Sequence, residues 1–319
     1  MENTKKTDKI TVIGAAIIDV LAGPVSEQVF QNGSQPVEKT GLSFGGDALN
    51  EAVVLSRLGK EVQLISKVGE DEAGARVIDY AKSNGLATEN IIQEEGLITG
   101  INIVLLDEKG ERHFLTNPTG SLRKLSVEDI LPRVESMGEI VSFASIFVSP
   151  LLDIPAMEQL FARIKEKPGR ILVADMTKAK KGERLEDIKC LLPYIDYILP
   201  NEDEIALLTG IRDSRKNAQL LVEAGVGCAA IKCGAKGCII ATKEVVLEVP
   251  ACPIKELMDT TGAGDCFAAG FLWALSEGCS LAECGRMACA VASCSVEQIG
   301  ATEGVVSLAE CLKRFQRNV

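Results

Sequence analysis

The sequence predicts an α/β fold with a mainly parallel central sheet flanked by helices, and with a small β-sheet lid. Three observations carry this reading. Short β-rich apolar runs alternate with helical patterns along most of the 319 residues. The runs are apolar almost continuously, not at every second position, which is the mark of strands covered on both faces. Two stretches, residues 16–44 and 97–118, break the alternation with extended segments and no helical pattern.

In order, the strand-like runs are KITVIGA from Lys9, VQLISKV from Val62, IVSFASIFVS from Ile140, RILVADM from Arg170, DYILP from Asp196 and CAAIKCG from Cys228. Between them lie the helical patterns GDALNEAVVLSRLG from Gly46, EAGARVIDYAKSNG from Glu72, IPAMEQLFARIKEK from Ile154 and EDEIALLTG from Glu202. Residues 1–15, 45–96 and 119–319 therefore form the core, and residues 16–44 and 97–118 the lid. The second lid stretch reads as a hairpin about Glu108–Gly110, since TGINIVLLD and ERHFLTN flank the turn EKG. A small sheet of this kind can close over a substrate, or pair its edge with a second copy to give a homodimer.

Composition narrows the function. A formal charge of −11 argues against a protein that neutralises nucleic-acid phosphates or adheres to anionic membrane. No run has the apolar length of a membrane span, and the start of the chain does not read as a signal peptide, so a cytoplasmic location is expected. Among the eleven cysteines, Cys279, Cys284, Cys289 and Cys294 recur every fifth position. That step turns about 140° around a helix and scatters the thiols over several faces, so they read as small buried residues in a reducing compartment and not as a metal site.

Residues 259–265 read DTTGAGD and precede an apolar run. Glycines at 262 and 264 let the main chain turn and approach a ligand, while the amides of residues 262–265 stand at a helix start and make an anion hole. Asp265 then has two readings of equal weight: a cap on the following amides, or a base that takes a proton from a substrate hydroxyl attacking phosphorus. The spacing fails G-x-G-x-x-G because position 267 is Phe, and no G-x-x-x-x-G-K-[ST] occurs.

The remaining motifs each carry a bland alternative. Gly45 and Gly46 permit close approach to the main chain, Asp47 reads as an N-cap, and Asn50 follows one turn later with an amide able to bind sugar hydroxyls. A capped core helix explains the same residues. Asp19, shortly beyond the first strand, reads as a solvated turn residue or as an acceptor for substrate hydroxyls. Asn201 and Glu204 have the spacing of a capping box, which is compatible with orienting waters around magnesium. Lys232, Gly234, Lys236 and Gly237 form a turn after a strand, either a plain hairpin or a bearer of amides and charge for nucleotide phosphates.

Taken in this order, Asp19, GGDALN, NEDE and DTTGAGD resemble the ribokinase-like carbohydrate kinases, the PfkB family, across nearly the whole chain. The resemblance implies a ribokinase-like core with a β lid, and ATP- and Mg2+-dependent transfer of the γ-phosphoryl group to an alcohol, the primary hydroxyl of a small sugar or sugar derivative. It makes Asp265 the general base and the amides of Gly262, Ala263 and Gly264 the anion hole. Asn201 and Glu204 then place magnesium through water, and Lys232, Gly234 and Gly237 hold the nucleotide. Asp19, Gly45, Gly46, Asp47 and Asn50 form the acceptor site. Many members bind K+ beside the late motif, which makes Asp259 a candidate ligand; here IGATEG keeps Gly300 and Ala301 and has Gly304 where Ser is common. Ribokinases proper carry Lys where this chain has Asp47. GGDALN also resembles 2-keto-3-deoxygluconate kinases, whose lid pattern ERHFLTNPTGSLRKL does not share, so neither assignment fits cleanly. The acceptor is thus a sugar, a sugar acid or a nucleoside. A non-catalytic sugar or nucleotide sensor on the same fold is the reading from another class, and it needs neither the base nor the magnesium pair.

Overall fold

A computed structural model describes residue 7, residues 9–109 and residues 111–317. The other residues assigned above to the core (1–6, 8, 318 and 319), together with residue 110 of the lid stretch, lie outside the described residues. Thirteen strands are described: β1 (Lys9–Ile13), β2 (Ile17–Gly23), β3 (Lys39–Gly45), β4 (Glu61–Gly69), β5 (Ile91–Glu94), β6 (Ile101–Leu106), β7 (Arg112–Thr116), β8 (Ile140–Ile146), β9 (Ile171–Met176), β10 (Tyr197–Ile198), β11 (Cys228–Lys232), β12 (Cys238–Ala241) and β13 (Val246–Val249). Nine of them form one sheet in the order β13-β12-β11-β10-β9-β8-β1-β4-β5. From β11 to β5 every neighbour is parallel, and β12 and β13 close one edge antiparallel.

Continuous burial is what the apolar runs demand. In β4 every residue after Glu61 is buried, and in β8 only Ser145 is not. Two apolar clusters lie on the two faces of the sheet. One gathers Leu49, Val53, Phe271 and Leu272 from the helices Asp47–Arg57 and Ala263–Ser276. The other gathers Leu160, Phe161, Leu208 and Leu221 from the helices Ile154–Lys165, Glu202–Thr209 and Ser214–Glu223.

The remaining strands form a separate four-stranded sheet in the order β3-β2-β6-β7. It is mixed: β2 and β6 run parallel at its centre, and each pairs outward with an antiparallel neighbour. Two sequence expectations are corrected here. The stretch 16–44 is not free of helix, since one turn of α-helix spans Gln28–Asn32; five residues are too few to show a period. Asp19 is no turn residue: it lies within β2, opposite Ser43 on β3 and Asn102 on β6.

Close helix packing fixes the helix that carries Asp265. The helices Ala263–Ser276 and Leu281–Ser295 meet at Gly270, where a Cβ would stand 2.9 Å from both Cα of Ala288 and the carbonyl oxygen of Met287. Both obstacles are backbone, so the helices must part to admit even a methyl group. Gly270→Ala is expected to destabilise the protein by about 1–3 kcal/mol despite the better helix propensity of alanine, read as a lower Tm in thermal unfolding.

Candidate active site

The site forms where the C-terminal ends of β1, β8, β9 and β11 meet the start of two helices, the crevice at which open α/β sheets present ligands. Gly262 is the N-cap of the Ala263–Ser276 helix in the left-handed conformation, φ 68°, and no side chain caps that end. A Cβ there would lie 2.4 Å from the carbonyl oxygen of Ala301, so glycine is required by both conformation and space. The Ala263 amide turns to the Thr260 carbonyl oxygen at 3.3 Å. The amides of Gly262, Gly264 and Asp265 have no hydrogen-bond partner among the described residues. These three donors, at the positive end of a fourteen-residue helix, make a site for an anion.

Asp265 sits in the first turn of that helix, and its side chain caps none of the amides. It accepts instead from Asn50 Nδ2 at 2.7 Å. Burial pushes its carboxyl up to about 7. The Asn50 hydrogen bond and, more weakly, the Lys232 ammonium pull it down, while Asp47 and Asp175 push it further up. A carboxyl poised there can take a proton near neutral pH, as a general base must.

Asn50 thus orients the candidate base. Asp47 is not the N-cap of its helix: Gly46 holds that place at φ 94°, and Asp47 is the first helical residue. Its Oδ1 accepts from the amides of Ala15 at 3.0 Å and Ala48 at 2.7 Å, and Ser145 is a further partner. That ties the ends of β1 and β8 to the helix start. Asp19 Oδ1 accepts from Asn102 Nδ2 at 2.9 Å, and a Cβ on Gly45 would meet Asp19 Oδ2 at 2.3 Å, so glycine leaves room for that carboxylate. Burial raises the Asp19 carboxyl, while Asn102 and Arg112 draw it back.

On the other flank Asn201 and Glu204 form a capping box. Asn201 Oδ1 accepts from the amides of Asp203 at 3.0 Å and Glu204 at 2.8 Å, and Glu204 Oε2 from the amide of Asn201 at 2.8 Å. Asn201 also bridges to Lys232 in parallel. Lys232 Nζ donates to Asp175 Oδ2 at 2.5 Å and lies 3.5 Å from where a Gly264 Cβ would stand. Burial opposes its charge, but Asp175 and Glu204 hold the ammonium above its ordinary range. Burial raises both of those carboxyls against the pull of the same ammonium. The turn from Gly234 to Lys236 is a single 3-10 turn between β11 and β12; Gly234 is exposed, and Gly237 closes the turn against β13.

Asp259 is buried and fully engaged. Its Oδ1 accepts from the Thr261 amide at 2.9 Å, Thr261 Oγ1 at 2.6 Å and Arg112 Nη2 at 2.6 Å, and its Oδ2 from the Gly300 amide at 3.0 Å. These bonds hold its carboxyl below the ordinary value despite burial.

A family model described as pfkB family carbohydrate kinase matches residues 7–307. The chain belongs to that family. It is 33% identical to a protein described as an uncharacterized sugar kinase of Archaeoglobus fulgidus, over 79% of this chain and 97% of that protein. It is 27% identical to the 2-dehydro-3-deoxygluconokinase of Haemophilus influenzae, over 96% of this chain and 99% of that one. In structure it is similar to an Arabidopsis thaliana ribokinase complexed with ribose and ATP, with TM-score 0.82 at 23% identity, over 97% of this chain and 99% of that chain. This pfkB-family protein is a sugar kinase of ribokinase-like fold, a phosphotransferase with an alcohol group as acceptor.

Four residues of this pfkB-family site have no motif to announce them. Asp175 ends an apolar strand run, and an acid at the C-terminal end of a buried strand is the signal that could have marked it. Glu51, fully buried, follows Asn50 in the helix and accepts from Ser142 Oγ at 2.7 Å. Asn102 and Arg112 come from the second lid stretch, and nothing local distinguishes them from other polar strand residues.

The raised carboxyl at position 265 gives a signed expectation. If the ionised form is the base, kcat/KM rises with pH and reaches half its plateau near about 7. Folding favours the neutral form, so the stability it contributes is present below the ordinary value of 3.8 and is lost as pH rises through about 7. Asp265→Asn should therefore nearly abolish turnover while growing more stable relative to wild type across that window. Rate profiles and denaturant titrations at several pH values check both; near-normal turnover in the variant would sink the base.

Proposed function

We propose that this sugar kinase transfers the γ-phosphoryl group of ATP to a primary hydroxyl of a small sugar or sugar derivative, with Asp265 as general base. The observation that carries the reading is the carboxyl of Asp265, raised to about 7 beside three amides without partners. An acceptor hydroxyl within reach of Asp265 passes its proton to that carboxylate as its oxygen bonds to the γ-phosphorus. The bond from that phosphorus to the oxygen of the leaving ADP breaks. The Gly262, Gly264 and Asp265 amides and the Lys232 ammonium face the negative charge on the transferring group.

The donor set fits magnesium, which prefers oxygen ligands and keeps several waters. Glu204 uses only Oε2 in the capping box, which leaves Oε1 to hold the ion through water together with Asn201. Charge neutralisation on the phosphate oxygens is what the ion supplies there. A monovalent cation at Asp259 would have to compete with the Arg112 guanidinium for Oδ1. Closure of the small sheet, residues 16–44 and 97–118, over the core would exclude water from the transfer. All eleven cysteines are free thiols, which supports a reducing, cytoplasmic setting.

Among the alternative acceptors a sugar acid is the one we propose, on the strength of Arg123. A cavity of about 440 Å³ is lined by Arg123, Lys180 and Lys181, by the acids Asp153, Glu183 and Asp187, and by Phe147 and Val148. Val148, Ser149 and Leu152 also line a smaller cavity with Gly14 and Ala15, next to Asp47. Arg123 spends one donor, on Thr116 Oγ1 at 3.4 Å, so its guanidinium is free to meet a carboxylate. Ribose, 2-keto-3-deoxygluconate and adenosine, assayed in parallel for ADP release, distinguish the acceptors. The sugar acid is expected to turn over fastest, and Arg123→Ala to raise its KM about tenfold or more while leaving kcat near wild type. Ribose or adenosine as the preferred acceptor would overturn the sugar-acid reading. No transfer to any of the three, with ATP still bound, would revive the sensor.

The small sheet also supports a homodimer. Leu42, Val20, Ile103 and Leu115 stand in register across its four strands, and all four are exposed. An apolar row of this kind calls for a cover, and a second copy of the same row supplies it with two-fold symmetry. Light scattering should show a dimer, and the double variant Leu42→Lys, Ile103→Lys a monomer that keeps its fold; a monomeric wild type would exclude the dimer.

A further inference from the structure

Arg112 opens β7, at the outer edge of the small sheet, and its guanidinium leaves that sheet. It donates to Asp259 Oδ1 at 2.6 Å, the one ion pair among the described residues that joins the small sheet to the rest of the chain. Asp259 is 9% exposed, and the same carboxylate holds Thr261 on one side and Gly300 on the other. Those neighbours matter, because Thr261 precedes Gly262 directly and Gly300 precedes Ala301. The Ala301 carbonyl is the wall that Gly262 packs against. One buried carboxylate therefore sets both sides of the turn that aims the Gly262 amide. Arg112 also lies close enough to Asp19 to draw its carboxyl down. The guanidinium thus stands between the acceptor-facing carboxylate of the small sheet and the loop that builds the anion hole.

We propose that Arg112 is a positioning residue that makes the anion hole conditional on the small sheet, so that phosphoryl transfer is coupled to the strands that bring Asp19 and Asn102 to the acceptor. A buried carboxylate bearing three other hydrogen bonds still requires a counter-charge. With β7 in place Arg112 supplies it, and the turn 259–262 is held in one geometry. Without it, Asp259 draws in water or shifts, and the Gly262 amide moves with it. The inference rests on reading residues 262–265 as the phosphate-facing hole. It goes beyond that reading by assigning the geometry of the hole to a residue more than a hundred positions away, on the other sheet.

The test compares Arg112→Ala and Arg112→Lys with wild type, using whichever of ribose, 2-keto-3-deoxygluconate and adenosine the wild type phosphorylates. Arg112→Ala is expected to lose about ten- to a hundredfold in kcat with KM for ATP changed by less than about threefold, since its guanidinium is engaged by Asp259. Added guanidinium should restore part of that rate in the Ala variant and none in wild type, and Arg112→Lys should fall between the two. The share of ATP hydrolysed without acceptor should rise in the Ala variant. Circular dichroism and Tm establish that each variant folds, and if the Ala variant does not, Arg112→Lys decides by the same readouts. Turnover like wild type, or a loss that guanidinium does not relieve in a folded variant, would overturn the coupling. If wild type itself transfers no phosphoryl group, the kinase reading fails and the coupling fails with it, whereas a wild-type rate kept in a folded Arg112→Ala variant overturns the coupling alone.

Discussion

The hydrogen bond from Asn50 to Asp265 closes a loop of 215 residues and joins the two helices whose first turns face the crevice. Most of the site depends on it. Without a donor on Oδ2, a carboxyl so enclosed and so near other acids would be pushed further toward its neutral form, and a neutral acid takes no proton. With the bond in place the carboxyl lies near about 7, where ionisation and proton uptake are both accessible. The same bond fixes the side chain before any ligand arrives. It can form only because the sheet order puts β1 and β8 side by side and stacks both helices on one face.

Crowding of acids is the cost of this arrangement, and two devices contain it. Lys232 is the cation in the middle: it pairs with Asp175 at 2.5 Å, and Glu204 and Asp265 add to the field that keeps it charged. Glu51 is handled differently. It is fully buried, its Oε1 has no partner, and burial together with Asp175, Asp265 and Asp47 pushes its carboxyl well above the ordinary range. A charge there would be costly, so burial favours the neutral acid. That preference lessens the negative field at Asp265. The site thus accommodates its acids by raising several of their carboxyls and pairing one with Lys232, not by exposing them to water.

Much of this was legible in the sequence, for physical reasons. A parallel sheet covered on both faces writes itself as unbroken apolar runs, and helix starts with free amides write themselves as glycine beside small polar residues. The DTTGAGD and GGDALN motifs fall where the two facing helices begin. Local pattern could not say which role Asp265 plays, because a cap and a base occupy the same position in a first turn. In the structure the Asp265 side chain caps no amide and accepts instead from Asn50, far away in sequence. Asp47 misled in the opposite direction: with Gly46 already at a positive φ, the carboxylate is displaced by one position and bonds Ala15 across the crevice. Asp19 looked like a turn residue because it follows the first strand and Gly14 closely and Pro24 stands just beyond it. Arg112 and Asp175 were illegible as partners, since no local period encodes which strands will be neighbours.

The small sheet shows why one strand pattern can serve two purposes. Successive side chains point to opposite faces, so Asp19 and Asn102, paired in register, share one face while Val20 and Ile103, the next pair along, share the other. The polar face must meet water or a substrate, because the Asp19 carboxylate has a single side-chain donor. The apolar face must meet something else. A one-residue slip of β2 against its neighbours would exchange the faces, take Asp19 away from Asn102 and turn Val20 in among the polar side chains. Register is therefore enforced from both faces at once. A carboxylate on one face and an exposed apolar row on the other hold the same strands in the same alignment.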